Sequence, residues 1–378
     1  MPSSASVAVH SGGNPLSAIE TQGGPAPLEI THTSNLSSFL GLSLKNGLLN
    51  LVTLTLYRFW GKTEVRRRVW SHTTINGDPL EYTGRGMELF LGFLIATFAI
   101  GLPFLLVIFG AQLLGPAVAA VIILPVYLVM FFLFGFGVFT AFRYMASRTL
   151  WRGVRWHLSG SPANYGLTYL GYTLLSAVTF GWFWPAAARR LSGELWGGLR
   201  FGDLPFQFDL DAARREKVYG AYALGWVIVL VGYFAFVGTM VGMLAAVMPT
   251  DETTPPDIGA LATIYIGLLA FAVVAAVAFA PYSAAALRSV AAGVRLGDAT
   301  FRLDLKWTDM AWLTISNFVL VLVSLGLLMP FVQARTTRFL IQRLKADGSV
   351  DLERVTQTAD AGPRTAEGLA DAFGSSLI

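Results

Sequence analysis

From Leu89 to Phe142 the chain carries no Asp, Glu, Lys or Arg. A bilayer core needs about 20 apolar residues per crossing helix, so this run alone is long enough for two. Ala111-Gln112-Leu113-Leu114-Gly115-Pro116 reads as the turn between them. Two further uncharged runs lie between Lys217 and Asp251 and between Asp257 and Arg288, joined by an acidic loop over 250–257. The spacing predicts four strong helices: Met87–Phe109, Pro116–Phe139, Tyr219–Val247 and Ile258–Ala280. Only 13% of the residues are charged, about half the ~25% of a soluble domain. The expected class is an α-helical polytopic membrane protein. Cysteine is absent, which excludes disulfides, thiolate metal ligands and a cysteine nucleophile.

Three weaker apolar stretches, Phe39–Trp60, Tyr165–Trp184 and Met310–Met329, are each followed by Lys and Arg. Basic residues also follow the second and fourth strong helices, while the turns inside the two strong hairpins hold none. By the positive-inside rule, both hairpins enter from and return to the cytoplasm. The middle and last weak stretches have positive charge at both ends, so full spans would place basic segments outside. Re-entrant or interfacial helices resolve the conflict; full spans that break the rule are the other reading. The tryptophans, Trp226 aside, flank the basic segments, as indoles at one interface would.

The weak stretches align without gaps: LVTLTLYRFW, AVTFGWFWPA and LVSLGLLMPF. Thr53, Thr179 and Ser324 share one position. A second element recurs as INGDPLEYTG, RFGDLPFQFD and RLGDATFRLD, with WRGVRWHLSG a divergent version. Asn-Gly or Gly-Asp between alternating apolar residues is a hairpin signal. Lone hairpins are only marginally stable, so these four are expected to pair with one another as short cytoplasmic strands. The organisation read from this is a disordered tail over 1–36, repeat unit 1 over 37–164 and repeat unit 2 over 165–309. A closing weak and basic helix over 310–345 and a flexible tail over 346–378, with a short helix near Thr365–Phe373, complete it. Each unit is a weak helix, a basic helix, strands, a strong hairpin and strands.

The run TLTLYRFWGKTEVRRR with the hairpin NGDPLEYTG resembles the YjgN-like bacterial inner-membrane family, over roughly residues 40–345. That family's Thr-Leu-Gly-x-Tyr-x-x-Trp-Ala-Lys and Arg cluster are matched by Thr53, Leu54, Tyr57, Trp60, Lys62, Arg66 and Arg67. Thr55 stands where the family has Gly, and Gly61 where it has Ala. The resemblance implies a multi-pass protein of the bacterial cytoplasmic membrane and no particular activity.

Asn46, Asn50, Thr53 and Tyr57 fall on one face of the first weak helix. Ser176 and Thr179, and Asn317 and Ser324, occupy that face in the other copies. Polar stripes in lipid face protein or a wet cavity, so they are candidates either for helix–helix hydrogen bonds or for lining a substrate path. Lys62, Arg66, Arg67, Arg189, Arg190, Arg335 and Arg338 either anchor the chain to anionic head groups of the inner leaflet or build a lipid head-group site. Gly238 and Gly242 form a GxxxG read as a packing face, and Pro125 and Pro281 are candidate kinks.

Nothing points to catalysis, a cofactor, a metal or a nucleic acid. The four histidines are His10, His32, His72 and His157, without metal-binding spacing, and there is no phosphate-binding loop. The expected activity is that of a transporter or passage for a lipid or small amphiphile. The alternative is a non-catalytic membrane scaffold that binds protein partners.

Overall fold

The computed structural model describes residues 27–33, 36–247, 258–350 and 355. The acidic loop, the expected helix near Thr365–Phe373 and most of both expected tails lie outside them. In chain order, β1 (Ile30–His32), α1 (Leu36–Val52), α2 (Arg58–Ser71), β2 (Thr73–Ile75) and β3 (Asp78–Tyr82) come first. Then follow α3 (Gly86–Ala96), α4 (Leu102–Leu113), α5 (Pro116–Arg148), β4 (Thr149–Trp151) and β5 (Val154–Leu158). Next are α6 (Pro162–Val178), α7 (Trp184–Gly198), β6 (Leu199–Phe201), β7 (Leu204–Phe208) and α8 (Leu210–Arg214). The last elements are α9 (Val218–Val247), α10 (Ile258–Ala278), α11 (Ala280–Gly293), β8 (Val294–Leu296), β9 (Ala299–Leu303), α12 (Trp307–Val323), α13 (Met329–Ile341) and β10 (Leu344–Asp347).

The strands form one ten-stranded antiparallel sheet in sequence order. A bridge between Pro27 and Ser349 brings its two edges together, so the sheet is a nearly closed ring. The sequence reading gave residues 30–32 and 346–347 to the tails; they are the strands on either side of that closure, and Val350 beside them is buried. Four tight turns build the rest. Asn76 and Gly77 (φ 49° and 85°) and Arg152 and Gly153 (φ 48° and 77°) both take positive φ, as a turn matched to strand twist requires. Gly202 and Gly297 (φ 55° and 57°) do so at the first position of the other two turns.

Alternation along each strand separates the two faces of the ring. The register opposes Ile30 to Ile75, Leu80 to Trp151, Trp156 to Phe201, Phe206 to Leu296 and Ala346 to Phe301. These pairs form one continuous apolar face. The alternate pairs are Thr31–Thr74, His157–Arg200, Gln207–Arg295 and Lys345–Arg302, and they form the polar face.

Between successive strand pairs the chain leaves the ring as a helical hairpin and comes back. Two hairpins are long. Gly86–Leu113, which includes a π-helical turn at Thr97–Gly101, pairs with Pro116–Arg148, and α9 pairs with α10–α11. Gly86–Leu113, Pro116–Arg148 and Val218–Met243 are each long and apolar enough to cross a membrane. The α10–α11 pair, bent by 40°, makes a fourth such span if taken as one. Pro281 sits in the first turn of α11 at that bend, while Pro125 is carried inside α5. Among the described residues, a Cβ placed on Gly238 or Gly242 would meet nothing within 4 Å, so no neighbouring helix packs closely on this face. The contact between α9 and α10 is made by the stacked rings of Phe236 and Phe271, centroids 5.7 Å apart, seated over Gly267 and Gly232.

The other three hairpins, α1–α2, α6–α7 and α12–α13, each join a weak stretch to the basic helix after it across a five-residue break. In all three, the hydroxyl oxygen of Thr53, Thr179 or Ser324 accepts from the N–H four residues later, at 3.0, 3.1 and 3.2 Å. The first helix ends with two residues at positive φ: Leu54–Thr55, Phe180–Gly181 and Leu325–Gly326. The second of these returns its N–H to a carbonyl five residues back, at 2.6 to 2.8 Å. One short side chain thus caps the second helix while a left-handed turn closes the first.

Candidate functional site

Each recurrent hydroxyl donates its hydrogen to a carbonyl of the preceding turn. Tyr57 donates to Glu64 at 3.0 Å, and Lys45 pairs with the same carboxylate at 3.1 Å across the hairpin. In the third hairpin, Asn317 donates to Thr336 at 3.0 Å and accepts from Arg335 at 2.7 Å.

The rest of the stripe has no such partners. Asn46 is 0% exposed, and neither end of its amide is hydrogen-bonded. The hydroxyl of Ser43, also fully buried, and the Asn50 side-chain oxygen are equally unpartnered. Ser176 carries a second buried hydroxyl of this kind. Asn46 lies against Gly61 of α2, where a side chain would stand 3.4 Å from its nitrogen. Gly47 lies against the break in the third hairpin, where a Cβ would come within 2.6 Å of the Leu327 carbonyl.

The basic candidates are held apart by different partners. Arg66 is buried, donates to the Tyr82 hydroxyl at 3.3 Å and lies over its ring. Arg67 donates to the Gly84 carbonyl at 3.3 Å. Arg189 donates to Pro185 and faces the Tyr219 ring, and Arg190 faces Tyr172. Lys62 is half-buried on α2. Arg338, half-buried on α13, lies near enough to His32 to act on its charge.

The feature that the sequence did not reveal is inside the ring. An apolar cavity of about 400 Å³ is lined from all ten strands and flanked by residues of α7, α11 and α13. A second of about 410 Å³ lies where the ends of α2, α5, α7 and α13 meet above the ring. The two share Thr73, Leu80, Trp156, Trp196, Leu340 and Ile341, so they adjoin as two lobes around these side chains. Among the described residues, no Lys, Arg, Asp or Glu lines either lobe.

Tryptophans expected at a membrane interface form much of this wall. Trp151 is 1% exposed and donates to the Asp78 carbonyl at 3.2 Å; Trp70 donates to the Thr149 hydroxyl at 3.0 Å. Trp156 packs at a tilt against the Phe201 and Phe206 rings, centroids 5.3 and 5.4 Å away. Trp182, Trp307 and Trp312 remain exposed, as interfacial indoles would be.

Ligand pockets have this size and this apolar lining.

No curated protein and no solved structure matches the chain. Over residues 27–372 it matches the family model described as bacterial protein of unknown function, DUF898. The match is consistent with the resemblance to YjgN-like proteins, and the chain belongs to this bacterial family.

Proposed function

We propose that this is a multi-pass protein of the bacterial cytoplasmic membrane that binds a lipid or small amphiphile within its ring, as a carrier or passage for that molecule and not as an enzyme. The observation that carries the reading is the uncharged two-lobed chamber.

The connectivity supports the membrane placement. All five helical hairpins begin and end at strands of one ring, so every hairpin has both ends on the ring's side. With arginines in the helices that return to it, the positive-inside rule puts the ring in the cytoplasm, facing anionic lipid. Helices of 17 residues such as α1, α6 and α12 reach about 25 Å, short of a core of about 30 Å. The three short hairpins therefore enter and turn back within the bilayer, and Leu54, Phe180 and Leu325, 81–89% exposed at their tips, meet lipid chains. The same helix, break, helix and strand sequence at each short hairpin supports an origin by internal duplication.

Mild-detergent purification followed by native mass spectrometry tests the reading. The wild type is expected to carry a bound amphiphile near one per chain, and Ala146→Leu with Ala291→Phe, which fill the two lobes, are expected to lose it. Equal lipid content in both would sink it. Proteoliposome flux or scrambling then separates passage from storage. Single cysteines at Ser192 and Gln112 report topology; labelling of Ser192 from outside the cell would overturn the placement.

A further inference from the structure

We infer that Arg189, Tyr219 and Tyr282 form a phosphate site outside the chamber, which holds the head group of an inner-leaflet phospholipid. The inference rests on the membrane placement given above and not on the chamber.

Arg189 of α7 is 9% exposed, one of two buried arginines among the described residues. The other, Arg66, donates to Tyr82. Arg189 spends only its Nε, on the Pro185 carbonyl at 3.4 Å. Its guanidinium carbon lies 5.8 Å from the ring centroid of Tyr219 on α9, a contact that leaves the terminal N–H groups without an acceptor. Among the described residues, no carboxylate pairs with it. The fold asks for no charge at this place. Ten residues after Thr53 and Ser324, where the second copy has Arg189, stand Thr63 and Ala334, and both are buried. An unpaired buried charge is costly, so the missing partner is an anion.

Tyr282 of α11 stands close enough to both Arg189 and Tyr219 for their charges to be felt at its hydroxyl. The Arg189 Nη groups and the Tyr282 hydroxyl have no protein partner among the described residues, yet neither is sealed off by neighbouring atoms. Tyr219 beside them is 40% exposed, so the cluster opens outwards. Depth selects a lipid phosphate. Phe180 and Trp182, 81% and 40% exposed at the tip of this hairpin, reach the acyl chains. Arg189 lies about 7 Å from Trp184 along α7, towards the ring. The head-group layer is about 5–8 Å deep on each side of a bilayer, which puts Arg189 at the level of the phosphates. A guanidinium grips two phosphate oxygens at once, and the two tyrosine hydroxyls can donate to others.

The test is native mass spectrometry of delipidated full-length protein in mild detergent, titrated with dioleoyl phosphatidylglycerol, dioleoylglycerol and inorganic phosphate. Phosphatidylglycerol is expected to bind at least tenfold more tightly than dioleoylglycerol, the equivalent of hydrogen bonds to a charged group. Arg189→Gln is expected to abolish that preference, while Arg200→Gln, which removes an exposed arginine from the polar face of the ring, keeps it. Tyr282→Phe retains the ring packed on Tyr222, centroids 4.9 Å apart; it is expected to lower the preference about fivefold and decides the matter if Arg189→Gln does not fold. The chamber-filling pair Ala146→Leu and Ala291→Phe is expected to leave the preference intact. Equal binding of the two lipids by the wild type, or a preference that survives Arg189→Gln, would overturn the site. So would a preference lost in the chamber-filled protein alone. Inorganic phosphate that binds as tightly as the lipid would assign the site to the free ion and overturn the lipid. None of these outcomes touches the membrane placement, which labelling at Ser192 tests separately.

Discussion

Arg288 donates to the carbonyl of Leu305 at 2.7 Å, tying the helix that enters the ring at β8 to the chain that leaves it after β9. Arg67 does the same to Gly84, and Arg143 to Gly160. Each arginine stands six residues before the strand its helix enters, and each acceptor two residues past the strand that leaves. At the equivalent place in α7 is Gly193, and the Phe208 ring occupies the space, 2.8 Å from where a Cβ would be. The basic clusters thus hold the corners of the ring. Arg288→Met is expected to lower stability by about 1–3 kcal/mol, the cost of orphaning a partly buried acceptor. Arg288→Lys is expected to recover less than half, since one ammonium does not reproduce the fork that also reaches Glu216 at 3.2 Å. Thermal unfolding in detergent measures both.

Thr55 sits at φ 69° where Gly181 and Gly326 sit at 88° and 84°. The left-handed region costs a side-chain-bearing residue about 1–2 kcal/mol, and β-branching adds crowding. Thr55→Gly is expected to raise stability by about 1 kcal/mol, and Gly181→Thr or Gly326→Thr to lower it by a similar amount. Unfolding midpoints of the three variants, measured together, check the sign of each.

What could be read from the sequence was local. Asn76-Gly77, Gly202 and Gly297 mark their turns because positive φ is a property of the residues themselves. The recurrence of Thr53, Thr179 and Ser324 was visible, but their capping role needed the backbone around them. Ring closure was hidden, because Pro27 and Ser349 lie in Ser-, Gly- and Pro-rich segments and three-residue strands show no periodicity. Trp151 and Trp156 read as interfacial from neighbouring arginines, whereas their burial comes from Leu80 and Phe201 on other strands. The GxxxG misled for a related reason: spacing places Gly238 and Gly242 on one face without saying which face meets a helix.

Asn46 has four hydrogen-bonding possibilities and no partner for either end of its amide. If α1 is only packed here, Asn46→Leu removes two desolvated groups at similar volume and is expected to be neutral or stabilising by about 1–2 kcal/mol. Asn46→Asp, which buries a charge, is expected to be strongly destabilising. Chemical denaturation reads both. A loss of stability in the leucine variant would show that the amide holds water or a ligand.

His32 links ring closure to pH. Thr73 spends its hydrogen on Val69, so its oxygen accepts from Nδ1–H of His32 at 2.9 Å. Burial, with His72 and Arg338 nearby, pulls the His32 pKa down to about 4. The unfolded chain then binds the proton more readily than the folded one. Its contribution is therefore complete above pH ~6.5 and is lost as pH falls from there towards about 4. The loss is expected to be on the order of 2 kcal/mol. His32→Gln is expected to flatten this part of the stability profile. Unfolding midpoints between pH 4 and 7 measure it.

Leu340 and Ile341 lie where the lobes of the chamber join, so the volume there controls whether one molecule can occupy both. Leu340→Trp narrows the junction by side-chain volume. If a single chain threads both lobes, this substitution is expected to lower its affinity at least tenfold, more than Ala291→Phe, which reduces only the ring lobe. If the lobes fill independently, Leu340→Trp and Ala291→Phe are expected to weaken binding alike, and stoichiometry by native mass spectrometry rises above one in the wild type. Both variants add apolar volume to empty space, so both are expected to unfold at higher temperature than wild type once bound lipid is stripped. That rise separates loss of the ligand's room from damage to the fold.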